Sequence, residues 1–264
     1  MNADASASPN VWGGAAAAED WAILQEPQHR PLWQAMLQAA NVGKGTRLLD
    51  AGCGSGGLCF LAAHYGAEAF GFDATEPFIK LARQRLPQGQ FEVADLESPP
   101  FADEQFHVIA AANALQFAAD PEHALRVWTT RLMPGQGAIV IGLWTPPEES
   151  EQYRIMRAVR EVLPHPPAGG NPFALSAPGR VEEMITGVGL KINSAREVDL
   201  TFEYPDMETC WRALRSAGSM QSAIKIGGEA LVKQTLVETA KRFLMTDGSV
   251  FIHNKMRYVL GQNF

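Results

Sequence analysis

"LLDAGCGSGG", residues 48–57, is the stretch that decides the fold of this chain. Gly52, Gly54 and Gly57 match the G-x-G-x-x-G pattern, in which glycines let the backbone approach a bound nucleotide at the end of a strand. Asp50 precedes the first of these glycines by two positions. Because a carboxylate repels a pyrophosphate and attracts a cation, the stretch leaves two alternatives open: a dinucleotide site, or a site for a ligand without phosphate.

Short apolar runs alternate with helical runs on both sides of this glycine loop. The predicted strands are TRLLDAG, AEAFGFD, QFEVAD, FHVIAAAN and GAIVIGLW, and the predicted helices between them are GLCFLAAHYG, EPFIKLARQRL and PEHALRVWTTRL. Ahead of them, residues 19–40 predict a helix that is interrupted around Pro27. The alternation of strands and helices indicates a parallel sheet with right-handed crossovers.

After Trp144 the pattern changes to one helical run and a stretch rich in proline and glycine, which we interpret as an insertion over the carboxyl edge of the sheet. Helices are predicted over 181–190, 206–218 and 229–245, and strands over KINSAREVDLTFEYP and SVFIHNKMRYVLGQ. We therefore predict a single domain, whose parts are lid helices at 1–40, a ligand-binding core at 41–145, a cap insertion at 146–178 and a C-terminal completion of the sheet with added helices at 179–264.

The composition is that of a soluble globular protein. The chain has 264 residues, 46% of them hydrophobic, and a formal net charge of −7, which argues against a nucleic-acid partner. It has neither the roughly 18-residue apolar run of a membrane span nor a signal-peptide pattern. The three cysteines include no C-x-x-C pair, so no disulfide framework and no zinc site is predicted. We expect a cytoplasmic protein, monomeric or homodimeric, without a membrane partner.

Acidic residues follow three successive predicted strands. Asp50, Asp73 and Asp95 stand at these strand ends, about one strand–helix unit apart. In an open parallel sheet the ligand binds beyond the carboxyl ends of the strands, where the strand order reverses. Asp73 suits a carboxylate that accepts both hydroxyls of a ribose, and Asp95 suits an acceptor for the exocyclic amine of adenine.

Four stretches, taken in order, resemble the successive motifs of class I S-adenosylmethionine-dependent methyltransferases: LLDAGCGSG, GFDATEPFIKLARQR, FEVADLESPPFADEQFHVI and LMPGQGAIVIG. The likeness is looser to small-molecule methyltransferases of the ubiquinone and menaquinone type. It implies an α/β fold, a Rossmann-like, doubly wound, seven-stranded mixed sheet whose last strand is antiparallel. Helices would cover both faces, with a helical cap over the carboxyl edge. It also implies S-adenosyl-L-methionine as the cofactor, which is cationic and carries no phosphate.

The resemblance assigns nine residues to this cofactor. It places Asp50, Gly52 and Gly54 at the methionine end, Asp73 with Ala74 and Thr75 at the ribose, and Asp95, Leu96 and the backbone carbonyl of Ala112 at the adenine. Each acid also has a purely structural alternative. Asp50 would cap the loop N–H groups, Asp73 would cap a helix, and Asp95 would close a turn.

His29 is the candidate catalytic residue. Methyl transfer from a sulfonium is an in-line displacement that depends mainly on positioning, and a base is needed only when the acceptor must lose a proton. His29 lies on the predicted lid between Glu26 and Arg30. His165 and His253 are weaker candidates, and an ordinary histidine at the edge of the core is the alternative for all three.

The acceptor is predicted to be a small, largely apolar or aromatic metabolite, methylated at oxygen, nitrogen or carbon. Trp21, Trp144 and Phe173 are candidates for the wall of its pocket, and Gln116 for a hydrogen bond to it. Core packing and surface capping are their alternatives. The end of the fourth strand carries Asn113 and no acid, so no metal is predicted.

Two other functions remain open. One is a protein that binds S-adenosylmethionine without transferring its methyl group, as an isomerase, a cyclase or a regulatory binding module. The other, weaker, is an NAD-dependent oxidoreductase, which would need a second βαβ half that the sequence does not show.

Overall fold

The computed structural model describes Trp12, residues 14–167 and residues 170–263. The parts of the predicted lid and cap at residues 1–11, 13, 168 and 169 therefore lie outside the described residues. The α-helices and strands follow in this order: α1 Ala15–Asp20, α2 Arg30–Ala39, β1 Arg47–Ala51, α3 Gly57–His64, β2 Glu68–Asp73, α4 Glu76–Arg85, β3 Gln90–Val93, β4 Val108–Ala112, α5 Pro121–Thr129, β5 Ala138–Trp144, α6 Glu151–Glu161, α7 Arg180–Gly187, β6 Lys191–Tyr204, α8 Met207–Arg215, α9 Gly218–Gly227, α10 Glu229–Ala240 and β7 Val250–Gln262.

The described strands form one seven-stranded sheet in the order β3-β2-β1-β4-β5-β7-β6. Strands β1 to β5 pair in parallel, and β7 runs antiparallel to both of its neighbours. This confirms the predicted doubly wound mixed sheet and its antiparallel last strand. The strand order reverses between β1 and β4, where Asp50 pairs in register with Ala110. The crevice that such a reversal opens therefore lies directly beyond Asp50.

The two faces of the sheet separate neighbouring side chains into two cores. Leu48 packs with the core that includes Met36 and Trp211, whereas Leu49 packs with the core that includes Phe70 and Trp128. Adjacent strand residues point to opposite faces, so a central strand that is covered on both sides must be apolar throughout. Strand β5, AIVIGLW, has every residue buried and confirms this expectation.

The N-terminal lid is helical but irregular, as the prolines predict. Between α1 and α2 the chain forms a π-helical turn, Trp21–Gln25, and a 3-10 turn, Glu26–His29. Pro27 and Pro31 each stand in the first turn of the segment that they begin, where the missing N–H costs least. We call residues 14–39 the lid.

Helix α9 was missed by the sequence analysis, which predicted helices only on either side of it. It starts without a side-chain cap and ends at Gly227 and Gly228, so its local sequence is a poor helix signal. Its buried residues include Met220 and Ala223, and it packs against α6, α8 and α10. Tertiary packing therefore stabilises a helix that local propensity does not predict. The helix predicted over 229–245 also ends earlier, at Ala240.

A pair of glycine substitutions tests the packing of α7 on β7. A Cβ at Gly261 would overlap Ile185 Cγ2 of α7, whereas a Cβ at Gly187 would meet nothing within 4 Å. We expect Gly261→Ala to lower the free energy of unfolding by roughly 1 to 3 kcal/mol, as for an overpacked core. Gly187→Ala should leave it unchanged or raise it by up to about 1 kcal/mol. Urea denaturation measures both, and equal effects would contradict this packing.

Candidate active site

A cleft of about 1070 Å³ opens beyond the carboxyl ends of β1, β2 and β4, and we call it the glycine-loop cleft. All nine residues that the resemblance assigns to a cofactor line it: Asp50, Gly52, Gly54, Asp73, Ala74, Thr75, Asp95, Leu96 and Ala112. The structure thus brings together residues that are spread over more than sixty positions of the chain. The cause is topological, since parallel strands deliver their carboxyl ends to the same edge.

The loop after β1 requires its glycines. Gly52 and Gly54 have φ angles of 75° and 53°, in the left-handed region that disfavours residues with a Cβ. A Cβ on Gly52 would also come within 2.5 Å of Ala114 Cβ. The backbone N–H groups of Gly52 and Cys53 both donate to the carbonyl of Phe72, which ties the loop to the end of β2. The backbone can therefore approach a ligand closely at this point.

Asp73 connects the glycine loop to the start of α4. Its Oδ2 accepts from the N–H of Gly54 at 3.0 Å, and its Oδ1 accepts from the N–H of Thr75 at 2.8 Å. Burial raises the pKa of the Asp73 carboxyl, and these two N–H donors oppose that rise. A carboxylate offers about four acceptor positions, so Asp73 retains capacity for a ligand.

Asp95 closes the turn after β3 and also lines the cleft. Its Oδ1 accepts from the N–H of Glu97 at 2.9 Å, so the turn role that we considered as an alternative is present. The neighbouring carbonyl of Leu96 accepts from the indole N–H of Trp128 at 2.8 Å. This bond anchors the edge of the cleft to α5 and holds the backbone of residues 95 and 96 in place.

Asp50 is buried at the end of β1 and is nearly without partners. Its side chain is only 2% exposed, its Oδ1 has no hydrogen-bond partner, and its Oδ2 faces the thiol of Cys59 at 3.7 Å. Burial raises the pKa of Asp50 to about 8, and the neighbouring charges of Glu26 and Asp73 add to the rise. A buried carboxyl that lacks donors is costly, so the site is best satisfied by a ligand that brings a donor or a positive charge.

Glu26 is a site residue that the sequence analysis missed, since it appeared there only as a neighbour of His29. Its Oε1 accepts from the N–H of Ser55 at 2.9 Å, while its Oε2 accepts from the Ser55 hydroxyl and from Arg85, each at 2.5 Å. Glu26 lines the cleft, and burial raises its pKa against the opposing effect of Arg85. No sequence motif marks such a residue, because its partners lie in distant segments.

Further contacts hold the lid over the cleft. Asp20 pairs with Arg212 at 2.5 Å and with Arg215 at 3.4 Å, both on α8. Gln25 accepts a hydrogen bond at 2.8 Å from the hydroxyl of Tyr204, at the end of β6. The lid therefore bridges the glycine loop and the C-terminal part of the chain.

A second cavity of about 620 Å³ lies beside the cleft, and we call it the aromatic chamber. The two share the walls formed by Trp12, Trp21, His29, Asn113 and Phe117. The rest of the chamber is lined by Gln25, Trp144, Gln152, Ile155, Met156, Pro172, Leu214, Ala217, Gly218, Ser219 and Met220. These residues come from the lid, β5, α6, α8 and the missed helix α9, so the cap is built from more than the predicted insertion.

The structure separates the predicted acceptor residues into two groups. Trp21, His29 and Trp144 line the aromatic chamber. Phe173 and Gln116 are not among its lining residues. Phe173 packs behind Trp144, with ring centroids 5.6 Å apart.

Gln116 reaches the site through a neighbour. Its Nε2 donates to Asn113 Oδ1 at 2.5 Å, and Asn113 lines both cavities. Asn113 has a φ of 57°, a conformation that asparagine tolerates better than most residues. Asn113 is therefore a site residue that no sequence motif predicted.

His29 has an unusual environment for a histidine. It is 4% exposed, its ring packs against Trp21 and Phe202, and burial lowers its pKa to about 4. Its Nδ1 lies 3.3 Å from the carbonyl of Glu26, whereas its Nε2 has no partner. A neutral ring with the proton on Nδ1 satisfies the carbonyl and leaves Nε2 as a free acceptor.

The weaker candidates do not reach the site. His165 and His253 are exposed, and His253 Nδ1 pairs with the hydroxyl of Thr201. In the described part of the chain, no group of three or more His, Cys, Asp or Glu residues is placed to hold a metal ion. Within the same residues, none of the helices has the length and apolar character needed to cross a membrane.

Replacing Asp50 tests whether burial of its carboxyl lowers the free energy of unfolding. The folded-state pKa of about 8 exceeds the ordinary aspartate pKa of 3.8, so the folded chain holds a proton between these values that the unfolded chain releases. The contribution of Asp50 to the stability of the fold therefore falls as the pH rises from about 4 to about 8. We expect Asp50→Asn to remove this fall and to stabilise the ligand-free protein by roughly 1 to 3 kcal/mol at pH 8.

Urea denaturation at several pH values measures this effect. Asp103→Asn, at an exposed position, is the matched control and should leave the pH dependence as it is. An Asp50→Asn variant with the pH dependence of the unaltered chain would contradict the assignment.

Comparisons with known proteins agree with this geometry. The model of the methyltransferase domain family matches residues 49–141. An uncharacterized protein of Mycobacterium tuberculosis is 31% identical over 173 residues, which cover 64% of this chain and 61% of that protein. Trans-aconitate 2-methyltransferase of Variovorax paradoxus is 32% identical over 151 residues, 56% of each chain. The aligned region thus spans less than two thirds of either relative.

A solved structure extends the likeness in fold to most of the chain. The YcgJ protein of Bacillus subtilis superposes with a TM-score of 0.62 at 20% sequence identity and covers 89% of this chain and 99% of its own. At that identity the likeness concerns the fold alone. The family match falls on β1 to β5, the strands that carry the glycine loop and all three strand-end acids. Residues 49–141 are therefore similar to the methyltransferase domain family, and this similarity supports a class I S-adenosylmethionine-dependent methyltransferase.

Proposed function

We propose that this chain transfers the methyl group of S-adenosyl-L-methionine to a small, largely apolar or aromatic molecule. The glycine-loop cleft would hold the cofactor and the aromatic chamber the acceptor. The observation that carries the proposal is the distribution of charge between the two cavities. The cleft contains the carboxylates of Glu26, Asp50, Asp73 and Asp95, and none of the described residues that line it is a lysine or arginine.

The cleft residues fit this cofactor. Asp50, with its unpartnered Oδ1, and the backbone of Gly52 and Gly54 would face the methionine end. Asp73 would accept the ribose hydroxyls beside Ala74 and Thr75.

The adenine would lie at the other end of the cleft. The edge of the adenine would form hydrogen bonds there with Asp95, the backbone of Leu96 and the carbonyl of Ala112.

The same charges disfavour a dinucleotide. A pyrophosphate would lie among four acidic side chains, of which Glu26 is already paired with Arg85, and none of the described lining residues is a lysine or arginine that would attract it. This supports S-adenosylmethionine over the NAD alternative. The cationic cofactor would also relieve the cost of burying Asp50, because a positive charge stabilises its ionised form.

Bound there, the cofactor would supply a methyl group on an already activated sulfonium, so the protein's main task is to position the acceptor in line. The shared wall of Trp12, Trp21 and Phe117 would exclude water from the junction of the two cavities. Holding two reactants in line in this way is worth on the order of 7 to 11 kcal/mol.

His29 Nε2 would accept the proton of an O–H or N–H acceptor. Because burial lowers its pKa to about 4, the His29 ring is too weak a base to deprotonate an alcohol or phenol beforehand. As the new bond to carbon forms, however, the acceptor's proton becomes strongly acidic, and a weak base then suffices. Proton transfer to His29 would therefore accompany methyl transfer and not precede it.

Calorimetry tests the cofactor site. We expect the chain to bind S-adenosylmethionine, and Asp73→Ala and Asp95→Ala each to weaken binding by about 1 to 3 kcal/mol, as for a lost buried hydrogen bond. Asp103→Ala, on the exposed surface, should bind like the unaltered chain. NADH should not bind. Unchanged affinity in both cleft variants would refute the assignment.

Turnover distinguishes methyl transfer from mere binding. In a cell extract supplied with donor isotopically labelled in its methyl group, we expect S-adenosylhomocysteine and one labelled small molecule, detected by mass spectrometry. His29→Ala should slow this product by about 100-fold or more if the acceptor loses a proton. The control His253→Ala, at an exposed position, should not. Cofactor binding with neither product would instead support a non-methylating enzyme or a regulatory module.

A further inference from the structure

The two cavities differ completely in charge. Every carboxylate of the site lies in the glycine-loop cleft, whereas the described residues that line the aromatic chamber include no aspartate, glutamate, lysine or arginine. His29, which both cavities share, is neutral at physiological pH because burial lowers its pKa to about 4. An anionic ligand in this chamber would lose its hydration and find no counter-charge on the described residues that line it, a cost of several kcal/mol for a buried ion.

The acidic side chains of the adjoining glycine-loop cleft do not lower the cost of burying an anion in the chamber. Asp50 and Glu26 lie in the adjoining cleft, across the wall that His29 and Trp21 form. Neither supplies a counter-charge, because burial raises the pKa of Asp50 to about 8 and Glu26 is already paired with Arg85, and the ionised form of either would repel an anion in the chamber. Both the absence of a lining cation and the neighbouring acids therefore select against carboxylates and phosphates.

Two chamber residues carry buried polar atoms without partners. His29 Nε2 and Gln152 Oε1 both lack a hydrogen-bond partner, and their side chains are at least nine-tenths buried. Each is an acceptor, so a ligand would satisfy them by offering hydrogen-bond donors. Gln25, by contrast, already accepts from the hydroxyl of Tyr204.

Gln152 is held firmly at the start of α6. Its backbone N–H donates to Asn254 Oδ1 at 3.1 Å, and the hydroxyl of Ser150 donates to the same oxygen at 2.8 Å. The Ser150 hydroxyl also caps the helix by accepting from the N–H of Tyr153. This buried network fixes the first turn of α6 to β7, so the side chain of Gln152 is presented to the chamber from a rigid position.

We infer that the aromatic chamber selects an electrically neutral acceptor that carries a hydrogen-bond donor, with Gln152 as a specificity-determining residue. This inference rests on the proposed function and narrows its acceptor to hydroxylated or amine-bearing aromatic and apolar molecules. Carboxylated and phosphorylated molecules of the same shape would bind more weakly. Gln152 would accept a hydrogen bond from the ligand, in addition to the one that His29 Nε2 accepts. A cation placed at this position would allow the chamber to bind an anion.

Matched probes test the inference without knowledge of the natural acceptor. 1-Naphthol, 1-naphthoate and 1-methoxynaphthalene have similar rings but are, respectively, a neutral donor, an anion and a neutral molecule without a donor at pH 7. Calorimetric titration of the full chain saturated with S-adenosylhomocysteine measures their affinities. We expect 1-naphthol to bind about tenfold or more tightly than 1-naphthoate, and severalfold more tightly than 1-methoxynaphthalene.

A charge substitution tests the role of Gln152. Gln152→Lys should improve the affinity for 1-naphthoate relative to 1-naphthol by about tenfold, and Gln152→Arg provides a second variant if the first does not fold. Gln136→Lys, which makes the same charge change on an exposed turn, should leave the ratio as it is. A ratio unchanged in both Gln152 variants, confirmed as folded by circular dichroism, would overturn its role.

The inference is also overturned if 1-naphthoate binds as tightly as 1-naphthol, or if none of the three probes binds. Its failure can be told apart from that of the proposed function. Loss of S-adenosylhomocysteine binding would contradict the cofactor assignment. The probe comparison would then be made on the ligand-free chain, whose chamber is the one described here.

Discussion

Two carboxylates from different parts of the chain hold the glycine loop, and the rest of the site depends on this clamp. Asp73, at the end of β2, binds the N–H of Gly54, and Glu26, from the lid, binds the N–H and hydroxyl of Ser55. The first bond belongs to the sheet and the second joins the lid to it. Because Glu26 and His29 share one 3-10 turn, the contact that fixes the loop also sets the position of His29.

The clamp places two cavities of different polarity side by side: the acidic glycine-loop cleft and the apolar aromatic chamber. The cleft is polar and acidic because it lies at strand ends, where backbone N–H groups and carboxylates converge. The chamber is apolar because helices of the lid and the cap contribute its walls. A cationic, polar ligand and a neutral, apolar one can therefore meet at a common wall without either entering the other's cavity.

The buried carboxyl of Asp50 destabilises the ligand-free site. Its carboxyl is buried, nearly unpartnered and close to two other acids, which is a poor arrangement for the ligand-free fold. The arrangement is consistent with a site that a positive charge completes. The aromatic chamber likewise contains two buried acceptor atoms without hydrogen-bond partners, His29 Nε2 and Gln152 Oε1, which a ligand with donors would satisfy. Of the six buried side-chain atoms without a partner among the described residues, three belong to residues that line the two cavities: Asp50 Oδ1, His29 Nε2 and Gln152 Oε1.

The sequence by itself predicted the alternation of strands and helices over the first five strands and placed Asp50, Asp73 and Asp95 at strand ends, because local periodicity marks each strand and parallel strands bring their ends to one edge. Only the tertiary structure decided that Glu26 clamps the loop and that Gln152 lines the chamber. It also placed Gln116 and Phe173 behind the chamber wall. The physical reason is that helices of the lid and cap pack through contacts between distant segments. Such contacts leave no periodic signal in the chain, and they formed even the chamber-lining helix α9, whose own residues predict it poorly.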